Sequence, residues 1–520
     1  MAEKAENSNP SREVGLVWSA TLLCGLAVAY NSGAVMAASP FMKIDLDLDA
    51  NTLQWIMISY ILVATGLVGV MGGFADIFGR LRLLIFGAIM FTVGSLICIV
   101  ADNGTVVIAG RAVQGLGGAA IFGTGLAVLT VATPEALRTL ALGMWAAATA
   151  LGQGLGPLIG GALTDAIDWR AIFAFDVLLL VPGIVACLLL ARKHIVPEDT
   201  ARHGRIDYPG AALMMLALAA LTLAMTRGQE QGWGSVEIVS LLVVAAAASA
   251  GFIVREWRAE RPLFELRFFR EPSYVAAATG TFVAGFGIFG LIYYFNVFVQ
   301  SPEGPDYSAF QAGLALLPCT MLFFVGSIGF PRLLTGYDLR WPTTLGMISL
   351  ASGFWFLSDV AVTTAYAEVS WRLALVGLGF GLTFGLLPRV GLRDLPDADA
   401  GQGSGVINVC LYIGFTFGIA ACGVVVNAVR HDVIQKAVHA MSPAPENRIQ
   451  VIHDLVHGSN SVIQKSLKNL DATDAASINS ALTRALEAGF GSAMMLLAFA
   501  SVIGALLCGW LLRDPTGNKG

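Results

Sequence analysis

Charged residues are scarce in this sequence of 520 residues: they make up 13 % of it, against about 25 % in an ordinary soluble domain. Hydrophobic residues make up 56 %, and the mean hydropathy is +0.72. A surface this apolar needs lipid as its solvent, so the composition predicts an integral membrane protein. No stretch between the apolar runs has room for a soluble catalytic domain.

The motifs of enzyme chemistry are missing as well. The sequence has no P-loop lysine motif and no nucleophile constellation, and its seven cysteines show neither metal-ligand spacing nor a disulfide framework. All seven fall inside apolar runs, where we interpret them as small lipid-phase or core side chains. We therefore expect no enzymatic activity, no cofactor, no metal, no ATP-driven pumping and no nucleic-acid partner.

Long apolar runs fill most of the chain. A membrane-spanning helix needs roughly 20 apolar residues, and by that measure we predict fourteen spans in an all-α integral membrane protein. The predicted spans are residues 14–38, 53–75, 83–101, 105–131, 140–164, 171–191, 209–226, 237–254, 274–298, 310–330, 342–358, 369–388, 403–428 and 489–511.

The positions of lysine and arginine predict the orientation of these spans. With both termini placed in the cytoplasm, the short outer loops carry few cations, namely Lys43, Arg170, Arg227 and Arg372, while the cytoplasmic segments carry many. This asymmetry follows the positive-inside rule and fits an even number of spans. The polar first dozen residues lack the apolar core of a signal peptide, so we expect the first span to stay as an anchor. The expected location is the plasma membrane, here a bacterial inner membrane.

The longest connection is the predicted outer segment 429–488, between the last two spans. Its apolar residues have helical spacing, as in Ile449, Ile452 and Val456, which predicts amphipathic helices on the outer face. A lid, or a docking surface for a periplasmic or other outer partner, is one interpretation. A solvated helical hairpin without a specific function is the other.

Arg111 is the only charged residue in the apolar run from Thr105 to Ala132. A guanidinium near the middle of a membrane is costly, so its presence indicates a functional role. Gln114 lies three residues further along and therefore shares the same helix face.

A glycine-rich motif, GGFADIFGR, joins the second and third spans. It places Gly72, Asp76, Gly79 and Arg80 in what we predict to be a very short loop. Glycine permits a tight turn between antiparallel helices, and arginine holds such a loop on the inner side.

A second glycine motif, GQGLGPLIGG, lies in the fifth span. Gly152, Gly156 and Gly160 recur at four-residue intervals, Gly161 follows, and Pro157 interrupts the helix. A smooth stripe of small residues lets a neighbouring helix slide or rock against it.

In this order and on these helices, the motifs resemble those of the major facilitator superfamily, and in particular its fourteen-helix drug:proton antiporter branch. The stretches LQWIMISYIL, DWRAIF, QAGLALLP and GQGSGVIN extend the resemblance over nearly the whole chain. It implies two six-helix bundles with a substrate cavity between them and alternating access by rocking. The implied bundles are residues 14–191 and 273–512, with a linker carrying two inserted helices at 192–272 and cytoplasmic tails at 1–13 and 513–520.

The resemblance also implies roles for the motifs. The loop motif around Asp76 and Arg80 would form part of an inner gate, and Arg111 with Gln114 would lie on the coupling helix. The motif at 152–161 matches exporters that exchange substrate for protons. The implied partners are a small-molecule substrate, protons as the coupling ion and the lipid bilayer.

Two positions depart from the pattern of that branch. Asn31, nine residues before Pro40, stands where an aspartate is usual, and asparagine does not titrate. Asp176 stands in the sixth span where an asparagine is usual. A carboxylate at that depth is expensive to ionise unless Arg111 or Arg170 pairs with it, which makes Asp176 a candidate for a relocated proton carrier. The alternative is a water-exposed residue near the outer mouth.

Polar and aromatic residues of several spans are candidates for lining the cavity by stacking and hydrogen bonding. They are Asn31, Tyr60, Tyr294, Asn296, Asn408 and Tyr412.

We expect a proton-coupled exporter of amphipathic small molecules such as drugs, toxins, siderophores or secondary metabolites. An uncoupled facilitator, or a non-transporting sensor or scaffold that keeps the fold, is the alternative. The missing aspartate of the first span favours the alternative, whereas Arg111 and the glycine–proline stripe favour the exporter.

Overall fold

The computed structural model describes residues 10–193, 207–259, 266–334, 337–396, 400–440, 448–457, 462–463, 465–466 and 472–512. Within these ranges the chain is helical and contains no β-strand. In lipid a helix satisfies its backbone hydrogen bonds within one segment, which favours this architecture. The helices are α1 Pro10–Asp45, α2 Ala50–Phe78, α3 Arg80–Ile99, α4 Gly104–Ala132, α5 Glu135–Ala166, α6 Arg170–Lys193, α7 Tyr208–Gln231, α8 Val236–Arg258, α9 Pro272–Gln300, α10 Ala309–Ala315, α11 Leu317–Leu333, α12 Arg340–Leu357, α13 Tyr366–Leu392, α14 Ala400–His439, α15 Arg448–His457 and α16 Ala472–Leu511, with a 3-10 turn at Leu266–Arg270.

The predicted fold class is confirmed. Each of the fourteen predicted spans falls on a helix, although the tenth is broken into α10 and α11, which meet at 47°. Eleven of the described helices are long and apolar enough to cross a membrane, and the bent pair makes a twelfth. The remaining two predicted spans are α5 and α12, which pack beside the others. The protein is therefore a multi-pass membrane protein.

The helix ends follow local sequence signals. Asp49 accepts a hydrogen bond from the backbone of Thr52 at 2.6 Å and caps α2, and Asn103 accepts one from Val106 at 3.0 Å and caps α4. Following the predicted orientation, we call the end of the helices that carries these two caps the outer end.

The loop predicted between the second and third spans is shorter than expected. Only Gly79, with φ +93°, separates α2 from α3, and left-handed backbone of this kind favours glycine. Gly72 and Asp76 lie within α2, so their placement in the loop was wrong. The side chain of Asp76 lies outside the described residues, and its gating role stays a prediction.

The helices pack as two bundles and an accessory pair. In the first bundle α1 packs against α5 and α6, and α4 against α2 and α3. In the second, α9 packs against α14, and α13 against α11 and α12. The bundles meet where α5 contacts α10 and where α2 contacts α14. α7 and α8 pack on each other, and α7 also touches α2 and α14, so the inserted pair lies against both bundles.

Two helices are longer than a bilayer is thick. α14 and α16 have 40 residues each, roughly 60 Å at 1.5 Å per residue. Their ends extend beyond the outer end of the bundles and pack with α15 through Ile434, Leu455, Ile478 and Leu482. Both ends of the segment 429–488, residues 429–439 and 472–488, are therefore continuations of the last two spans. We call the ends of α14 and α16 together with α15 the outer cap.

Candidate functional site

Arg111 is buried inside the first bundle. It lies in α4 and is 2 % exposed. Its Nε donates a hydrogen bond to the backbone carbonyl of Ile56 in α2 at 3.3 Å, and its guanidinium carbon lies 4.4 Å from the centroid of the Tyr60 ring. A carbonyl oxygen and a ring face both present negative potential, so α2 stabilises the cation.

Asp176 is buried in the same bundle, on α6, with no exposed surface. Its Oδ2 accepts hydrogen bonds from Asn31 Nδ2 at 2.6 Å, Ser95 Oγ at 3.2 Å and Gln114 Nε2 at 3.3 Å. Its Oδ1 is buried and has no hydrogen-bond partner among the described residues. The structure thus does not place Asp176 in water at the outer mouth.

Two carboxamides connect the arginine to the aspartate. Asn31 Oδ1 and Gln114 Oε1 both accept from Arg111 Nη1, the latter at 2.8 Å, and both amide nitrogens donate to Asp176. Gln114 Nε2 also donates to Ser95 Oγ at 2.7 Å. Guanidinium has only donors and carboxylate only acceptors, so each amide must turn its oxygen to the arginine and its nitrogen to the aspartate. A change in charge at either end therefore reaches the other through both amides.

The two departures from the family pattern meet in this network. Asn31 stands where the resemblance implies an aspartate, Asp176 stands where it implies an asparagine, and the two side chains share a hydrogen bond of 2.6 Å. By the pattern that the resemblance implies, the carboxylate and the amide would have exchanged places between α1 and α6, and here the two side chains are in contact.

Arg170 does not take part in this network. Its Nη1 lies 3.0 Å from Asp45 and 3.1 Å from Asp168, and its Nη2 donates to the backbone carbonyl of Ala101 at 2.9 Å. These contacts tie together the outer ends of α1, α3 and α6. Of the two arginines expected to pair with Asp176, only Arg111 approaches it, and it does so through the amides.

The structure does not bring the predicted cavity residues together in one cavity. Asn31 and Tyr60 belong to the Arg111 network. Tyr294 lies at the outer end of α9, where its hydroxyl accepts from Gln54 Nε2 at 2.7 Å. Asn296 is fully buried and donates to the backbone carbonyl of Ile292 at 2.7 Å.

The remaining two candidates lie on α14. Tyr412 packs edge-on against Phe122 of the first bundle, with ring centroids 6.4 Å apart, and against Phe415. Asn408 is exposed. Because Tyr412 packs on Phe122, it contributes to the contact between the bundles.

The glycine stripe of α5 faces α1 of the same bundle. A Cβ on Gly152 would lie 2.8 Å from the Cβ of Ala29, and one on Gly156 would lie 2.7 Å from the backbone oxygen of Tyr30. Such distances are too short for any side chain, so the stripe sets how closely α1 and α5 approach. Because α1 carries Asn31, this close packing also fixes the position of the Asn31 amide relative to Arg111 and Asp176.

A different part of the motif faces the second bundle. A Cβ on Gly161 would collide with the backbone of Ala309 in α10, and one on Gly313 would lie 2.8 Å from the backbone oxygen of Pro157. Close backbone packing therefore joins the outer ends of α5 and α10.

Hydrogen bonds reinforce this junction, and sequence reasoning missed them. Asp165 at the end of α5 accepts from the backbone N–H groups of Ala309 at 3.1 Å and Phe310 at 3.0 Å. Gln300 Nε2 of α9 donates to the backbone carbonyl of Ala37 in α1 at 2.9 Å. These hydrogen bonds between the two bundles, and the one from Gln54 to Tyr294, lie toward the outer end, so the structure is closed there.

Comparison with known proteins places this architecture in a family. Residues 21–419 match the family model of the Major Facilitator Superfamily. The chain is 29 % identical over 427 residues to a multidrug resistance protein, Stp, of Mycobacterium tuberculosis, covering 82 % of this chain and 78 % of the relative. It is 31 % identical to a methylenomycin A resistance protein of Streptomyces coelicolor, covering 76 % and 82 % of the two chains. It is 32 % identical to a probable actinorhodin transporter of the same species, covering 75 % and 69 %.

Among solved structures, the chain is similar to a bacterial homologue of the human lysosomal transporter Spinster, with a TM-score of 0.66 at 15 % identity over 96 % of this chain and 97 % of that one. This likeness supports the fold alone. Since the family model spans more than half of the chain and the relatives match it over most of their length, the protein belongs to the major facilitator superfamily.

Proposed function

We propose that this protein is a proton-coupled exporter of amphipathic small molecules and that Asp176 carries the proton. One observation carries the proposal: the buried carboxylate of α6 is hydrogen-bonded to Asn31, at the position of α1 where the resemblance implies an aspartate. Moving the acid to the neighbouring helix keeps a titratable group in the same place in the bundle.

The geometry of Asp176 suits a group that gains and loses a proton. All three of its hydrogen bonds go to Oδ2, while the buried Oδ1 has no partner. A proton on Oδ1 would remove the negative charge without displacing any of the three donors. A buried carboxylate is stable as an anion only through such donors and a nearby cation, so a change in these contacts would favour one protonation state over the other.

The same contacts link the proton to the rest of the bundle. When Asp176 is neutral, the N–H groups of Asn31 and Gln114 face a weaker acceptor, and Arg111 loses the charge that balances it. The amides are then free to turn toward another acceptor, such as a polar group of a substrate. Protonation of Asp176 and binding of a substrate to this set of donors are thus thermodynamically linked, so each changes the affinity of the bundle for the other.

The direction of transport is inferred from the relatives and from the charge pattern. Resistance proteins for multiple drugs and for methylenomycin A, and a probable actinorhodin transporter, are among the relatives, which supports export of small amphipathic molecules. The lysine and arginine distribution supports cytoplasmic termini in a bacterial inner membrane. Release to the outside then requires the junction between α5 and α10 to open by rocking of the bundles.

Purified protein in liposomes tests the proposal. A panel of amphipathic compounds is offered with and without an imposed pH gradient, while compound flux and internal pH are recorded together. We expect flux against its own gradient and matching proton movement in the parent. Asp176→Asn should stop the coupled proton movement and leave exchange of labelled for unlabelled substrate, because the amides stay in place.

Asp394→Asn is the matched control, since Asp394 is exposed and pairs with its neighbour Arg393. It should behave as the parent does. Proton movement in Asp176→Asn at the parental rate would refute the role of Asp176. Flux without proton movement in the parent would identify an uncoupled facilitator, and no flux of any compound would point to a sensor or scaffold.

A further inference from the structure

A cavity beneath the outer cap lies apart from the Arg111 network. It encloses about 120 Å³ between the outer ends of α1, α2, α9 and α14, which is close to the roughly 150 Å³ of a protein cavity that holds a single benzene ring. Its walls come from both bundles, so it lies between the bundle interface and the outer surface. We call it the outer cavity.

Two cations line the outer cavity. Lys43 comes from the end of α1 and Arg430 from α14, and both side chains are half-buried. Neither forms an ion pair within 4.0 Å with any described residue. Glu303 is the one acidic residue in the lining, and its carboxylate accepts a hydrogen bond from Ser301. Two cations thus face one anion among the lining side chains, where water screens poorly, while Asp47 and Asp49 lie near Lys43 outside the lining.

Polar atoms in this lining lack partners. Arg430 Nε is buried and has no hydrogen-bond partner among the described residues. Gln300 is 5 % exposed, and its Nε2 donates hydrogen bonds to the backbone carbonyl of Ala37 and to Asn296 Oδ1. Its Oε1 has no hydrogen-bond partner among the described residues. Buried polar atoms without partners are costly, and a ligand with an anionic head would accept a hydrogen bond from Arg430 Nε.

The rest of the lining is apolar. Leu482 and Leu486 of the outer cap cover the cavity together with Ile463, and Leu53 and Val297 line the bundle side. The apolar part of a ligand would be buried against these side chains, while its charged group would lie between the two cations.

We propose that the outer cavity binds a small amphipathic anion, of the class of aromatic carboxylates. Its place on the exit route of the substrate rests on the proposed export function, whereas binding itself does not. This site is not visible in the sequence, because Lys43 and Arg430 are almost 400 residues apart.

Benzoate and benzamide are suitable probes, since they share size and shape and differ in charge. Their binding to the full chain in nanodiscs of zwitterionic lipid is measured by isothermal titration calorimetry. We expect the parent to bind benzoate at least about tenfold more tightly than benzamide, and we expect Lys43→Gln/Arg430→Gln to lose that preference. Equal affinities for the two probes in the parent would overturn the proposal, as would a preference that survives in the double variant.

Glu303→Gln keeps the shape of the side chain and removes its charge. Benzoate should therefore bind to this variant at least about threefold more tightly than to the parent. A misfolded variant cannot show such a gain. Unchanged or weaker benzoate binding in Glu303→Gln would count against an anion site.

The charge-matched control is Lys436→Gln/Arg484→Gln, because both residues are exposed on the outer cap and outside the cavity lining. It should keep the preference for benzoate, and its loss there would show a non-specific charge effect and overturn the site. Asp176→Asn should keep the preference too, so that failure of coupled export and failure of this site are told apart.

Discussion

Arg111 and Asp176 are joined by two carboxamides, each of which accepts a hydrogen bond from the guanidinium and donates one to the carboxylate. The ion pair is thereby relayed through Asn31 and Gln114 and is not made directly. Because an amide has an acceptor at one end and a donor at the other, it can transmit a change of charge between the two. This arrangement makes specific predictions for each of its members.

Exchange of the acid and the amide should preserve coupling. In Asn31→Asp/Asp176→Asn the carboxylate returns to α1 across the same hydrogen bond, and we expect proton-coupled flux within about threefold of the parent, a compensation typical of residues in direct contact. The single variants should both lose coupling, since Asp176→Asn has no acid and Asn31→Asp has two adjacent ones that repel. Flux and internal pH in proteoliposomes check this. A double variant no better than Asp176→Asn would contradict it.

Removal of the cation should abolish transport and spare the fold. In Arg111→Ala the buried Asp176 loses its counter-charge, which costs about 3–5 kcal/mol if the carboxylate stays ionised. Protonation of Asp176 avoids most of that cost, so we expect normal expression and a monodisperse elution profile together with loss of flux.

Arg111→Lys should restore only a small part of this flux, because a single ammonium replaces a planar fork that reaches the amides and Ile56 at once. Arg227→Ala is the control, as Arg227 is exposed and pairs with Glu237 at 3.0 Å. Efflux in Arg111→Ala equal to that of the control would show that the cation has no part in coupling.

The helices and the cation on α4 follow from the sequence because both depend on local information. A run of apolar residues forms a helix in lipid wherever it occurs, and Arg111 is conspicuous within such a run. Asp49 and Asn103 mark helix starts by the same local logic. The amphipathic helices predicted for 429–488 were expected to lie apart from the last two spans, whereas α14 and α16 continue into that segment. Periodicity shows that a stretch is helical but not whether it continues the preceding span.

Contacts between residues far apart in the chain could not be predicted from local sequence. Ser95 is an ordinary polar residue in an apolar span, and only the packing of α3 against α6 brings it to Asp176. Asp165 and Ala309 are 144 residues apart. The charge of Asp165 at the end of a span was a visible signal, but a single sequence holds no information on which helix it meets.

Close packing between α1 and α5 should make Gly156 intolerant of even a methyl group. In Gly156→Ala the new Cβ would lie 2.7 Å from the backbone oxygen of Tyr30 and 3.2 Å from the backbone nitrogen of Ala34. Backbone atoms cannot move aside as a flexible side chain can, so we expect a loss of about 1–3 kcal/mol in the free energy of unfolding. Thermal unfolding in detergent should therefore begin several degrees lower than in the parent.

Gly329→Ala provides the comparison, since a Cβ at Gly329 in α11 would meet nothing within 4 Å. Alanine is the better helix former, so this change should leave the unfolding temperature unchanged or raise it. Equal effects of the two substitutions would show that the α1–α5 contact is looser than the structure indicates.

Opening of the outer end should be easier without the charge of Asp165. This carboxylate accepts two backbone hydrogen bonds at the start of α10, and in Asp165→Asn only one acceptor oxygen remains. Charge-assisted hydrogen bonds are stronger than neutral ones, but Asp165 is exposed and therefore screened. We expect the open form to gain about threefold to tenfold in population relative to the closed form.

Electron–electron double resonance between spin labels at Ile167 and Leu314 measures this population, because both residues are exposed and lie on opposite sides of the junction. In a cysteine-free background, Asp165→Asn should shift the distance distribution toward longer values. Asp168→Asn is the matched control: it removes a carboxylate three residues away that pairs with Arg170 of its own bundle, and it should leave the distribution unchanged. A distribution in Asp165→Asn that coincides with the control would mean that glycine-mediated backbone packing alone holds the outer end closed.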